Sequence, residues 1–338
     1  MDKSRTRHHY YLPQNNLAAF ILNVLREYSI YGPVLQGEDY HWEKITVRNI
    51  NNLTIGKYRT LEPVKQFFFP PREKIGHIRQ IKTAIIGLKN CDLHLLKTAD
   101  SIFLKGVGED ENYRQRRANT IIISADCSGI RPSCFCTKMN LWPYPEDGFD
   151  INISPTSAGY LLEVASAAGQ KIIEYCGSLL QADVSPFLVE QKNNRQKIIA
   201  AVEKNNSEFN WSDVSGLIAR SYDSPHWKEI AETCVECDGC RWACGSCYCF
   251  LLGEGQKSFS KVRSWDSCQS IGYGRVAGGA NPRKYRWERL RNYYLCKLLY
   301  RFQNFGLLAC SGCGRCIETC PGKIDIRQTL QKIFKEQK

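Results

Sequence analysis

The sequence predicts an α+β protein: a mixed α/β domain over residues 1–225, followed by a mainly helical, ferredoxin-like domain over residues 226–338. Three observations carry this expectation. Short runs rich in β-branched residues recur through the first part of the chain. From His226 onward the pattern turns helical between Cys-bearing loops, and in that same stretch one four-Cys motif occurs twice. A length of 338 residues gives each of two domains enough chain to bury its own core.

After the amphipathic segment Gln14 to Tyr28, residues 40–47 (YHWEKITV), 83–88 (TAIIGL) and 119–125 (NTIIISA) read as strands. The latter two are apolar enough to be buried on both faces. Pro70-Pro71, Gly106 to Gly108 and the cluster Pro143 to Gly148 punctuate them. Residues 160–175 predict two more short strands or a hairpin around Ala168-Gly169, and Phe187 to Lys204 predicts a helix. The polar, turn-rich stretch Lys204 to Pro225 marks the boundary, and Pro282 to Asn304, stopped by Gly306, predicts a long helix.

Composition narrows the function. The longest strongly apolar stretch, Leu17 to Leu25, is far shorter than the roughly 20 residues that span a bilayer, so no membrane partner is expected. The basic N-terminus lacks an apolar core with a small-residue cleavage site, which points to the cytoplasm. Thiols stay reduced there, so 17 cysteines favour metal ligation over disulfides. The formal charge of +12 is uneven: residues 226–338 hold 19 Lys and Arg against 10 Asp and Glu. A basic, Cys-rich segment suits either a zinc module on nucleic acid or an anionic metal cluster wrapped in counter-charge, and Cys spacing decides between them.

The first run is Cys234-x2-Cys237-x2-Cys240-x3-Cys244; the second is Cys310-x2-Cys313-x2-Cys316-x3-Cys320-Pro321. Both match the run that holds 4Fe-4S cubes. Three thiolates from one tight loop cap three irons, while the fourth leaves on a helix and points elsewhere. In two-cluster ferredoxins that fourth Cys serves the other cube. Two 4Fe-4S clusters are therefore expected, one on Cys234, Cys237, Cys240 and Cys320, the other on Cys310, Cys313, Cys316 and Cys244. A zinc ribbon, which uses separated Cys pairs or mixes in His, fits the doubled run poorly. Gly245 stands where the first motif would carry Pro, which loosens the exit from that loop. Each oxidised cube with four thiolates carries about −2; Arg283, Arg286, Arg289, Arg291 and Arg301 are candidates to offset it.

Nine cysteines remain. Cys91 and Cys127 each follow a predicted strand, and Cys134 and Cys136 follow closely, so these four form a candidate third site, with a cluster, zinc or free thiols all open. Cys247, Cys249, Cys268 and Cys296 are a weaker candidate for a fourth cluster, since their spacing matches no known run. Cys176 reads as core.

The sequence resembles a family of iron-sulfur subunits that serve soluble sulfhydrogenases (nickel-iron hydrogenases, also sulfur reductases), where the member is the beta subunit, or anaerobic sulfite reductase. The resemblance runs over most of the chain. It rests on Phe67-Phe68-Phe69 with Pro71-Arg72-Glu73, Cys91-Asp92, Tyr113 with Arg116-Arg117, and Cys134-Phe135-Cys136. Further on it rests on Arg263 with Trp265-Asp266-Ser267-Cys268-Gln269, Ala277-Gly278-Gly279 with Asn281, and Tyr294-Leu295-Cys296-Lys297. Cys296 looks more like the sulfhydrogenase member. The resemblance implies an electron conduit between a flavin subunit that takes electrons from NAD(P)H and a catalytic subunit, either a nickel-iron hydrogenase or a siroheme sulfite reductase. No catalytic site is expected in this chain, which has no HExxH, G-x-S-x-G or P-loop. The alternative from a different class is a zinc-binding, nucleic-acid-binding protein.

Overall fold

The computed structural model describes residues 7–76, 78, 80–255 and 258–337. Its strands are β1 His8–Pro13, β2 Ser29–Gln36, β3 Asp39–Ile45, β4 Arg72–Lys74, β5 Thr83–Leu88, β6 Thr120–Ala125, β7 Ile151–Pro155, β8 Gly159–Val164, β9 Phe250–Gly255 and β10 Ser258–Trp265. The chain divides into two compact units that interleave in sequence: Met1–Glu62, Arg79–His94 and Arg114–Asn205 make the first, and Pro63–Ile78, Leu95–Tyr113 and Asn206–Lys338 the second. Among the described residues no helix is long and apolar enough to cross a membrane.

The first unit is built on a seven-stranded sheet in the order β1-β8-β7-β6-β5-β2-β3. Its centre is parallel, β2 with β5, β5 with β6 and β6 with β7, and both flanks are antiparallel. The apolar runs of β5 and β6 occupy that centre, as their continuous hydrophobicity requires. Phe20, Ile21 and Val24 of the helix Leu17–Leu25 pack onto the sheet with Ile172 and Ile173. The helix Ser185–Asn205 spans the predicted Phe187 to Lys204.

Residues 160–175 depart from the expected strand pair: β8 takes the first part and a helix, Ala167–Tyr175, the second. Ser166 caps this helix, its Oγ accepting from the Gly169 amide at 3.0 Å. Ala168-Gly169 resembles a turn because Gly is needed for another reason. A Cβ at Gly169 would lie 2.3 Å from the Asp150 carbonyl oxygen, so the helix nests on the backbone just before β7.

The second unit, expected to be mainly helical, holds helices together with a three-stranded sheet in the order β4-β10-β9. Its third strand, β4, lies far away in sequence, so no local pattern announces the pairing. Arg263 of β10, buried, pairs with Glu73 of β4 and with Asp110, and lies over the rings of Phe69, Phe103 and Phe250. This explains why Phe69, Glu73 and Arg263 recur together in the resemblance: they form one buried ion-pair and aromatic cluster. The predicted long helix starts at Arg286, because Tyr285 is extended at φ −88° and ψ 147°. It runs through Leu295, loosens into a π turn at Cys296–Tyr300, resumes as Arg301–Phe305 and ends at Gly306 with φ 68°.

One strand end matters for the first unit's chemistry. Gly87 adopts φ +80°, shifts the β5–β6 register by one residue, and would set a Cβ 2.8 Å from Pro33 Cγ. The bulge re-aims Leu88 and Lys89 at the carboxyl end of the sheet. Gly87→Ala is expected to destabilise the first unit by about 1–3 kcal/mol, read as a lowered urea midpoint.

Candidate metal centres

The two Cys runs form the same loop. Glu236 and Asp238 take left-handed conformations, φ 55° and 59°, in the first; Gly312 and Gly314 take φ 67° and 74° at the equivalent positions of the second. In both, the amide two residues on donates to the leading thiol, Glu236 to Cys234 and Gly312 to Cys310. Turning inward-facing amides toward sulfur is what a loop around an anionic cluster must do. The strain at Asp238 is offset by its side chain, which accepts hydrogen bonds from Ser267 and from Ser270, the latter at 2.7 Å.

Cys234, Cys240 and Cys320 lie within electrostatic reach of one another, and Cys237, exposed at the edge, lines the same cavity. Cys320 returns to the first loop because the chain after it presses on the start of that loop: a Cβ at Gly322 would lie 2.2 Å from the Thr233 carbonyl oxygen. Cys316 and Tyr293 also line that cavity. Cys310, Cys313, Cys316 and Cys244 form the second gathering. Tyr293, wholly buried, is close to both Cys240 and Cys316. Gly245, where Pro was expected, is explained by close packing rather than by a loosened loop: a Cβ there would meet Leu95 Cδ1 at 2.8 Å.

Burial raises the thiols of Cys240 and Cys310 to about 12 each, so without a partner cation they hold their protons. Cys244 departs from this, held well below the usual thiol value by the Cys247 thiol that hydrogen-bonds it and by Lys297, whose Nζ is 2.8 Å from Cys244 Sγ. Lys297 is itself buried. Desolvation alone would lower its value, yet Cys244, Cys247 and Cys310 raise it well above the usual one. Lys65 shows the opposite balance: its Nζ donates to the carbonyls of Arg241 and Cys247 at 3.3 and 3.1 Å, and burial lowers it to about 8. Lys297 is therefore the cation committed to sulfur. The Gln269 amide completes the surroundings, donating to Cys240 Sγ at 3.1 Å.

Of the five arginines named from sequence, Arg286 lies near Cys234 and Arg301 near Cys296. Arg289 binds Gln269 O, and Arg291 lies over the Tyr222 ring at 3.8 Å. Sequence reasoning gave no role to Lys297 or Arg241. The signal for Lys297 was its place beside Cys296 in a strongly basic helix.

In the first unit, Cys127 lies near Cys134, and Cys136 near both, while Cys91 and Cys127 flank the Lys89 ammonium. Lys89 is 1% exposed, and its Nζ donates to the carbonyls of Ile55, Gly56 and Asp126 at 2.9–3.1 Å. The residues that follow β5 and β6 thus lie about one buried ammonium group. Cys134 and Cys136 sit in a loop and a short 3-10 turn, and Cys136 packs on Ile198 and Val202. Cys176 is buried in the core of the sheet.

A family model described as a 4Fe-4S dicluster domain matches residues 233–324. Over 339 aligned positions, 96% of this chain and 97% of the relative, the chain is 29% identical to the sulfhydrogenase 2 subunit beta of Pyrococcus furiosus. The C-terminal segment is thus an iron-sulfur domain of the dicluster type, and the resemblance to sulfhydrogenase beta subunits extends over nearly the whole chain.

Replacing Lys297 by Met removes a buried positive charge beside Cys244 and favours the oxidised, less negative cluster. One cluster potential is expected to fall by roughly 60 mV, the equivalent of about 1.4 kcal/mol for one electron, in an EPR-monitored redox titration.

Proposed function

We propose that this chain is the iron-sulfur electron-transfer component of a cytoplasmic sulfhydrogenase-type complex, relaying electrons between a flavin NAD(P)H-oxidoreductase subunit on one side and a nickel-iron catalytic subunit on the other. The observation that carries the reading is the pair of loops with one backbone geometry at Cys234–Cys244 and Cys310–Cys320, within a dicluster-type domain. Cys234, Cys237, Cys240 and Cys320 hold one 4Fe-4S cluster, and Cys310, Cys313, Cys316 and Cys244 the other. When bound, the clusters supply successive one-electron sites. The chain's own part is to exclude water and to set the charge around them, through Lys297, Arg286 and the Gln269 amide. Residues 1–225 dock the partner subunits, and Cys91, Cys127, Cys134 and Cys136, set about the buried Lys89 ammonium, hold a cluster at that end.

In the anaerobically purified complex, Cys313→Ser is expected to cut NAD(P)H-linked turnover about tenfold or more while NAD(P)H-dependent dye reduction by the flavin subunit stays unchanged. Unchanged coupled turnover sinks the relay; a siroheme protein co-purifying in place of a nickel-iron subunit moves the chain to the sulfite reductase type. For the first unit, Cys136→Ala should remove about four irons per chain, and an unaltered iron content would leave those thiols without a cluster.

A further inference from the structure

Cys247, Cys249, Cys268 and Cys296 come from three separate places, the loop before β9, the loop after β10 and the first residue of the π turn, yet they meet. The Cys249 and Cys268 thiols hydrogen-bond each other, and Cys268 is also within electrostatic reach of Cys247 and Cys296. Tyr273 adds a hydrogen bond to Cys249. Two guanidinium groups are buried beside them. Arg241 is 0% exposed and close to Cys247, Cys249 and Cys268; its Nη2 donates to the Cys249 carbonyl at 2.8 Å, but its Nε and Nη1 have no partner. Arg301, 5% exposed and close to Cys296 and Cys247, donates to the Ser246 carbonyl, while its Nε is also without a partner.

Buried N–H groups in folded proteins almost always find an acceptor, so three orphans next to four thiols mark a place where an acceptor belongs. The charges agree. Two buried guanidinium ions face this group of thiols, and a cube with four thiolates carries about −2. Among the described residues no three Cys, His, Asp or Glu side chains stand close enough to share one ion, and this applies equally to the thiols of the two motifs.

We propose that Cys247, Cys249, Cys268 and Cys296 hold a third four-iron, four-sulfide cube in the second unit, whose sulfur atoms accept the free N–H groups of Arg241 and Arg301. Each thiol gives up its proton on ligation. Cys247 and Cys244 touch, so this cube's ligand abuts a ligand of the cube on Cys310, Cys313 and Cys316. An electron passing across takes the donor cube from its reduced to its oxidised core and the acceptor the opposite way, with no proton moved. The site extends the relay proposed above, but iron counting tests it independently of any partner subunit.

The test uses the full-length chain purified anaerobically. Cys268→Ala and Cys296→Ala should each lower iron and acid-labile sulfide by about four per chain and remove the same single cubane component from the EPR spectrum of the dithionite-reduced protein. Arg241→Gln should keep the iron and shift the potential of that component to more negative values. Iron unchanged in both alanine variants overturns the proposal, as does their loss of zinc in place of iron. If the alanine variants lose all iron, Arg241→Gln decides: a shift confined to one component supports the site, and no shift in any component removes it. Failure of the relay would show as uncoupled turnover with the iron count intact.

Discussion

Sulfur ligands can be negative away from water only if positive charge is buried with them, and the second unit is organised around that constraint. An uncompensated buried ion costs several kcal/mol, while an opposite charge at 4 Å returns about 4 kcal/mol at an effective dielectric constant of 20. The two sides are close enough that position decides the outcome. Lys297, at 2.8 Å from Cys244 Sγ, stays charged against its burial; Lys65, two peptide carbonyls its nearest partners, loses proton affinity for the same burial. The basic excess of the last third is therefore in part interior, carried by Lys297, Arg241 and Arg301.

Local signals are legible in the sequence and tertiary ones are not. Cys spacing is a chemical pattern confined to eleven residues at a time, so both loops can be read directly. The apolar runs of β5 and β6 likewise identify themselves, and with them the placing of Cys91 and Cys127 at one end of the sheet, since adjacent parallel strands end together. The hairpin β9–β10 escapes such a reading because its sheet is completed by β4, a strand that ends at Lys74, long before β10 begins at Ser258. The helix Ala167–Tyr175 escapes it because Gly169 serves close approach to Asp150 and looks like a turn residue. Arg241 lies within the first Cys run and reads as a loop charge until its burial is seen.

The left-handed pairs make a related point. Gly312 and Gly314 adopt their conformation without penalty, whereas Glu236 and Asp238 reach it against the preference of L residues. The first loop holds its shape through outside support: the Ser267 and Ser270 hydroxyls on Asp238, with Gln269 beside them on Cys240. The segment Trp265 to Gln269 thus braces one loop while carrying Cys268 on the same short stretch. That double duty accounts for so dense a run of family-like residues.

The interleaving of the units governs the order in which the chain can be assembled on a ribosome. Every segment of the first unit has been made once Asn205 has been synthesised, but the second unit needs Pro63–Ile78 and Leu95–Tyr113 to wait for the residues from Asn206 onward. Cys320, which joins the thiols around the first loop, follows Cys234 by 86 residues. Those early stretches, Phe68 and Phe69 among them, go without their own core until the residues after Asn206 follow them, so the second unit closes later than the first.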